Sequence, residues 1–477
     1  MASQKKIILS GVAWRFAERF GAQLVSFIVS IVLARLLSPE DYGIIALITI
    51  FTSILNVFID SGLGTALVQK KDADDLDFSS VFYFNILMCV LLYLGMFVCA
   101  PYISLFYKRP DLTPVIRVLS LTLIISGVKN VQQSYVSRNM LFKRFFFSTL
   151  GGTIGAAIIG IILAYKGYGV WALVAQQLFN SSMDTIILWI TVKWKPIKAC
   201  SFERFKTLFS FGWKMLLASI VSSIYSQLRQ LIIGKFYSAN DLAFYNQGEK
   251  VPNFVTCNIN ASIDSVLFPA MANEQDDRER IKNLTRRSIA ISVYVLAPIM
   301  LGLAAVSNNL VLILLTPKWL PAVPYMCLFC LTYVFQPIHT CNLNAIKALG
   351  RSDLFLKLEI IKTILGIIIV ILTARYGVWM ICVGSFVSSI VSQIVNAWPN
   401  KKLLKYSYLE QLKDIIPTLV IALIMAIVVF FLGKYIENTV LAFIVQIIVG
   451  VIVYIGESIL FHIDSFEYII YFVKTLL

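Results

Sequence analysis

The segment "ARLLSPEDYG" at residues 34–43 returns as "GKFYSANDLA" at 234–243, an offset of 200. A cation (Arg35, Lys235), a serine (Ser38, Ser238) and an aspartate (Asp41, Asp241) keep their places in both. Three further matches flank this one. Trp14-Arg15 recurs as Trp213-Lys214 (offset 199), "IDSGL" at 59–63 as "IDSVL" at 263–267 (offset 204), and "YGVW" at 168–171 as "YGVW" at 376–379 (offset 208). The matches are collinear and the offset drifts one way, as small insertions in a second copy would make it drift. Internal repetition of this kind organises a whole fold. The copies span 1–198 and 199–405, and residues 406–477 lie outside the repeat.

Composition says what is repeated. Hydrophobic residues make up 58% and charged residues 14% of the 477, against about 25% charged in an average soluble domain. Fourteen apolar runs are long enough for membrane helices, near 11–34, 43–69, 79–107, 115–137, 146–165, 169–192, 208–237, 242–272, 288–315, 321–347, 355–375, 377–398, 412–435 and 438–461. Each copy takes six. An even number makes both copies enter the membrane from the same side, so they are parallel repeats about an axis along the membrane normal. The expected fold is an all-α integral membrane protein of 14 transmembrane helices: an N-lobe (1–198), a C-lobe (199–405) related by a pseudo-twofold, and two C-terminal helices (406–477).

The net charge of +15 does not call for nucleic acid. Lys and Arg concentrate in the loops on the side of the N-terminus, as the positive-inside rule requires, which places both termini in the cytoplasm. "MASQKKIILSGVAWRF" lacks a small-residue cleavage site and is expected to stay on the chain. The linker "KWKPIKACSFERFK" (193–206) is basic and cytoplasmic. "KKLLKYSYLEQLKD" (401–414) reads as an amphipathic helix lying on anionic lipid.

Catalytic signatures are missing from the sequence. The loops are short, and there is no phosphate-binding Gly-Lys loop, nucleophile elbow or paired loop carboxylates. Cys327 and Cys330 form C-x-x-C inside an apolar helix without a second pair. His339 and His462 stand alone in the sequence as packing or interfacial residues. No metal and no cofactor are expected.

Charges inside the apolar runs are the functional signal, because hydrocarbon makes them costly. At about 100° per residue, Arg15, Glu18, Arg19, Gln23, Ser26 and Ser30 share one stripe of the first helix. Lys214, Ser222, Tyr225 and Arg229 share one on the symmetric seventh helix. Lys129, Lys250 and Lys362 add cations in other runs. Several buried charges of one sign mark a wet path for the opposite charge, and Arg grips diphosphate oxygens in bidentate fashion. These positions are the expected substrate-binding set: Arg15, Arg19, Gln23, Lys129, Lys214, Tyr225, Arg229, Lys250 and Lys362. Glu18, Asp60, Glu249 and Asp264 are candidates for coupling to a proton or sodium ion, since burial raises a carboxyl pKa toward neutrality. The competing readings are structural. Arg15 and Lys214 lie near helix ends where they snorkel to headgroups, Arg229 and Lys250 serve as outer interfacial anchors, Glu18 pairs with Arg15 or Arg19, and Asp60 and Asp264 cap local helix breaks.

Several stretches carry a resemblance: "LARLLSPEDYGIIAL" (33–47), "DSGLGTALVQKKD" (60–72), "FGWKMLLAS" (211–219), "FYSANDLAFYNQG" (236–248), "KWLPAVPY" (318–325), "NLNAIKALGRSDLFLKLEIIK" (342–362) and "YSYLEQLKD" (406–414). The chain resembles the Wzx-type flippases, the polysaccharide transporter branch of the multidrug/oligosaccharidyl-lipid/polysaccharide exporter superfamily, and especially its colanic and teichuronic acid exporter-like members. The resemblance implies a monomeric two-lobed bundle in the bacterial cytoplasmic membrane. It also implies movement of an undecaprenyl-diphosphate-linked oligosaccharide repeat unit by alternating access, driven by a proton or sodium gradient, with membrane lipids and glycan polymerases as partners. Arg15 and Arg19 match the family's cationic cavity by position on the first helix, and Lys214 by its symmetric place. A multidrug exporter of the same superfamily is the alternative; it needs an acidic pocket, whereas Lys and Arg outnumber acids here. A membrane glycan polymerase needs a long external loop, and a scaffold for glycosyltransferases leaves the repeat without purpose.

Overall fold

A computed structural model describes residues 21–60, 63–70, 72–139, 141–274 and 277–476. Most of them are helical, with no strand among the described residues. The order is α1 (Gly21–Leu36), α2 (Pro39–Asp60), α3 (Leu63–Gln69), α4 (Asp75–Phe106), α5 (Leu112–Leu119), α6 (Leu121–Arg138), α7 (Phe142–Tyr165), α8 (Val170–Thr191) and α9 (Phe202–Phe236). Then follow α10 (Ala239–Asn273), α11 (Arg278–Leu314), a 3-10 turn (Pro317–Ala322), α12 (Val323–Val334), α13 (Gln336–Ala348), α14 (Ser352–Thr373), α15 (Val378–Leu403), α16 (Tyr408–Tyr435), α17 (Thr439–Leu460) and α18 (Asp464–Leu476).

Nine described segments are long and apolar enough to cross a membrane: α2, α4, α5–α6, α7, α11, the 3-10 turn with α12–α13, α15, α16 and α17. Their surfaces are inverted relative to a soluble protein. Leu91 and Val98 on α4 and Val451 and Ile452 on α17 are 54–64% exposed, while Asp77, Ser79 and Ser80 on α4 are wholly buried. Exposed apolar patches of that extent mark a lipid-facing surface. The chain is a multi-pass membrane protein. Helices α8, α9, α10 and α14 have 22, 35, 35 and 22 residues, enough at about 1.5 Å per residue to span a hydrocarbon core, but they carry more polar side chains.

Compactness divides the chain into residues 1–243 and 244–477. The first unit packs α7 on α8, α6 on α4 and α8, and α9 on α2, α3 and α4. Its core gathers Leu67, Phe78, Phe82, Val131, Phe145, Leu188 and Trp194. A side chain at Gly127 would overlap Cys89, so the glycine lets α6 approach α4 closely enough for Asn85 to donate to the Gly127 carbonyl (3.2 Å). The basic linker is strapped to α4. Ile197 N–H donates to Ser79 (3.0 Å), Ser201 N–H to Ser80 (2.9 Å), Tyr83 to the Ile197 carbonyl (3.1 Å), and Arg204 to Asp74 (2.6 Å).

The repeated motifs do the same local work in both copies. Ser38 N–H and hydroxyl donate to Asp41 (3.0 and 2.6 Å), and Asp41 N–H returns to Ser38 (3.2 Å). Ser238 and Asp241 repeat this box at 3.1, 2.6 and 3.1 Å. Each closes the first turn of a helix by satisfying orphan donors. Gly169 and Gly377 of the two "YGVW" copies both have positive φ, +54° and +105°, a region that favours glycine.

The second unit is built on α11, against which α12, α13, α16, α17 and α18 pack. Tyr294 of α11 hydrogen-bonds Ser458 (2.8 Å) and its carbonyl accepts from Tyr454 (2.8 Å), pinning α17. The segment 401–414 corrects its sequence reading. Lys401 and Lys402 end α15, and Tyr408–Asp414 open α16 behind a Ser407/Glu410 capping box. No separate surface helix forms there, because the capping box starts the spanning helix at once.

Candidate functional site: the polar line of the second unit

Helix α10 reaches α12 at Gly248, where an added Cβ would lie 2.8 Å from Tyr325 Cβ and 2.9 Å from the Ala322 carbonyl. This close approach seats Tyr245 edge-on to Phe329, with centroids 5.1 Å apart. It also brings Glu249 to Tyr333, whose hydroxyl donates to Oε1 at 2.7 Å. Four turns further along α10, Asp264 accepts from Asn344 of α13 at 2.6 Å. The helix runs unbroken through Asp264, so this aspartate caps no helix break. A carboxylate in mid-helix is costly in a membrane protein, and here a neutral amide holds it.

Helix α13 is almost wholly buried and carries the remaining polar groups. Asn342 donates to Gln411 of α16 (2.8 Å), Gln411 donates back (3.1 Å), and Asn400 of α15 donates to the Asn342 side chain (2.6 Å). All three residues are fully buried. One turn before Asn342, His339 Nδ1 lies 2.6 Å from the Asn396 amide nitrogen. Interhelical bonds of this kind contribute about 1–2 kcal/mol in peptides and about 0.6 on average in folded membrane proteins. The line thus ties α10, α12, α13, α15 and α16 together while holding polar groups inside the unit.

The sequence-derived candidates fall as follows. Arg15, Glu18 and Arg19 lie outside the described residues, as do the side chains of Asp60, which ends α2, and Lys214 of α9. Gln23 is exposed on α1, and Tyr225 is half-buried on α9. Arg229, also on α9, has a buried Nε with no hydrogen-bond partner among the described residues. Lys129 of α6 pairs with Asp184 of α8 at 2.9 Å, both largely shielded. Lys250 of α10 is partly buried. Lys362 of α14 is 7% exposed and pairs with Glu359 at 2.6 Å. The second unit therefore contains Glu249, Lys250, Asp264 and Lys362; the first holds Lys129 and Arg229.

Sequence reasoning passed over Asp184, Tyr333, Asn342, Asn344, Asn396 and Asn400. Two signals were present. Asn396 and Asn400 are four apart and so share a helix face, and "NLN" at 342–344 puts two amides in an apolar run. The partners of Lys129, Glu249 and Asp264 lie 55, 84 and 80 residues away and leave no local trace. Among the described residues no group of three His, Cys, Asp or Glu could hold a metal. Cys327 lies against Ser307 (3.3 Å).

Comparison with known proteins adds the identity of the scaffold. The family described as "Polysaccharide biosynthesis protein" matches residues 32–324. The succinoglycan biosynthesis transport protein ExoT of Rhizobium meliloti is 25% identical over 460 residues, covering 94% of this chain and 92% of that one. The teichuronic acid biosynthesis protein TuaB of Bacillus subtilis is 26% identical over 369 residues, 74% of each. Among solved structures, the lipid II flippase MurJ in an inward closed conformation superposes with a TM-score of 0.78 at 16% identity, covering 95% of this chain and 99% of that one, so the two share a fold. With its match over more than half the chain, this protein belongs to the polysaccharide biosynthesis protein family.

Proposed function

We propose that this protein is a flippase that moves an undecaprenyl-diphosphate-linked oligosaccharide repeat unit across the bacterial cytoplasmic membrane by alternating access. One observation carries the reading: over nine tenths of its length the chain aligns with a relative named as a polysaccharide biosynthesis transport protein, on the fold of a lipid II flippase. In this reading α8, α9, α10, α14 and α1 join the nine apolar segments as spans, making fourteen. Two parallel six-helix repeats and two C-terminal helices result, with both termini in the cytoplasm.

Arg15, Arg19 and Lys214 would take the diphosphate, with Gln23 and Tyr225 offering hydrogen bonds to the glycan. Arg229 supports this role, because its Nε has no partner among the described residues and an unmet buried donor suits an incoming anion. Lys250 would add a cation. Lys129 and Lys362 already hold Asp184 and Glu359, so each would serve only by exchanging that carboxylate for the substrate. Glu249 and Asp264 would couple transport to a proton or sodium ion. Asn344 gives Asp264 a hydrogen bond without charge, so a bound cation would neutralise that carboxylate and favour one conformation over the other.

The test is a deletion strain complemented with wild-type protein or Arg19→Glu. Loss of surface polysaccharide, with lipid-linked repeat units accumulating in the inner leaflet and the variant inserted normally, is the expected result. Normal polysaccharide in the deletion strain together with altered drug susceptibility would sink this reading and favour a multidrug exporter.

A further inference from the structure

We infer that the second unit carries a headgroup site for an anionic glycerophospholipid where α11 and α16 begin and α17 ends. A cavity of about 890 Å³ opens there. Three apolar segments, Arg278–Leu314, Tyr408–Tyr435 and Thr439–Leu460, all terminate at it, which puts it at the level of the membrane–water boundary. His462, with φ +47°, turns the chain from α17 into α18, so that Tyr468 closes one side.

The charges around the cavity are unequally committed. Arg280 is held by Glu274 (3.0 Å) and Asp277 (3.4 Å). Arg286 is held by Asp414 (2.5 Å), whose second oxygen accepts from Tyr406 (2.7 Å). Arg287 and Lys413 have no ion pair among the described residues, and both are exposed. The Arg287 guanidinium lies 4.2 Å from the Tyr468 ring centroid, a cation–π contact that holds it over the cavity with its N–H donors unspent. Of the lining carboxylates, Glu274 and Asp414 are engaged, and Asp464 sits in the first turn of α18, where the helix dipole favours it. Two uncommitted cations therefore face one carboxylate, a balance that suits a headgroup with a single negative charge.

The remaining wall distinguishes a lipid from a soluble phosphate. Ile291, Pro417 and Phe461 line the cavity beside the cations. Ile416 and Val420 continue as exposed apolar surface down α16. A phosphodiester at Arg287 and Lys413 would leave its acyl chains on that surface, whereas a free phosphate would gain nothing from it. The site does not depend on which substrate the protein moves.

The test is native mass spectrometry of the full-length protein with phosphatidylglycerol or phosphatidylcholine. The wild type should retain phosphatidylglycerol over phosphatidylcholine. Arg287→Ala with Lys413→Ala should lower that preference about fivefold for each cation removed, the factor for one basic residue facing an anionic surface. Arg287→Lys with Lys413→Arg should restore it. Should the double alanine variant fold poorly, Lys413→Gln alone at its exposed position carries the test, with about a fivefold loss. Equal retention of the two lipids, or an unchanged preference in the variants, overturns the site. Displacement of the lipid by millimolar sn-glycerol 3-phosphate would reassign it to a soluble phosphate and overturn the lipid reading as well.

Discussion

The two units give their carboxylates different partners. In the first, Asp77 is fully buried and meets Lys70 (2.6 Å) and Arg204 (3.5 Å), and Asp184 meets Lys129 (2.9 Å). In the second, Glu249 accepts from the Tyr333 hydroxyl, the exposed Asp264 accepts from the Asn344 amide, and three buried amides satisfy one another. The second unit also uses ion pairs, among them Arg286 with Asp414 where α11 and α16 begin and Lys362 with the half-exposed Glu359 within α14. A carboxylate that already has its cation has little to gain from a proton or sodium ion. Asp264, held by the neutral Asn344 amide, retains a reason to bind either. Under the proposed function, the contrast directs the coupling role to Asp264 of the second unit.

The largest expected effect breaks the first half of that contrast. Lys129→Met strands Asp184 without its cation and should cost about 3–5 kcal/mol, as loss of one partner of a buried pair does. Thermal melting in detergent reads it, and adding Asp184→Leu should recover most of the loss. A single variant as stable as wild type would show that the pair is solvated and holds nothing. Next in size, Asn342→Leu strands the buried Gln411 amide, at about 1–3 kcal/mol, while Asn400 keeps its 3.2 Å bond to the carbonyl of residue 342. The same melting assay checks it, and an unchanged midpoint would mean that water enters the line.

Glu249→Gln and Asp264→Asn sharpen the other half. Each keeps an oxygen for Tyr333 or Asn344, so stability should move by no more than about 1 kcal/mol, the scale of one interhelical bond. Transport should lose its dependence on the ion gradient. Unaltered gradient dependence in both variants would remove these carboxylates from the coupling role.

The smallest effect concerns the linker strap. The Arg204 guanidinium hydrogen-bonded to Asp74 lowers that carboxyl from its ordinary 3.8 to about 2. Because the folded value lies below the unfolded one, the stabilisation is complete above the ordinary value and is lost as pH falls from about 4 to about 2. Amide exchange across residues 192–201 should therefore be faster in Arg204→Gln than in wild type at pH 5, with the difference closing toward pH 2. A difference independent of pH would assign the strap to its neutral hydrogen bonds alone.

Much of this architecture can be read without coordinates, wherever the cause is local. "SPED" and "SAND" start helices because the serine and aspartate are three apart, and the boxes at Ser38 and Ser238 match to within 0.1 Å. The glycines of "YGVW" take positive φ in both copies because the turn before a helix requires it. Lys362 and Glu359, three apart on one helix, form a pair that spacing alone foretells. The site was legible only in part. Glu249 and Asp264 stand out as acids in apolar runs, but nothing local marks Tyr333 or Asn344 as their partners. Lys129 illustrates the same blindness, for its sequence offers no hint that Asp184 meets it.

By itself, then, the order of residues determines an all-helical membrane chain with repeated helix-start motifs, because hydropathy and capping each act within a few neighbours. Tertiary structure decides which buried charges find compensation from distant helices and which remain available. Compensation needs two side chains within about 4 Å, and helices 55 to 84 residues apart in the chain reach that distance only by packing.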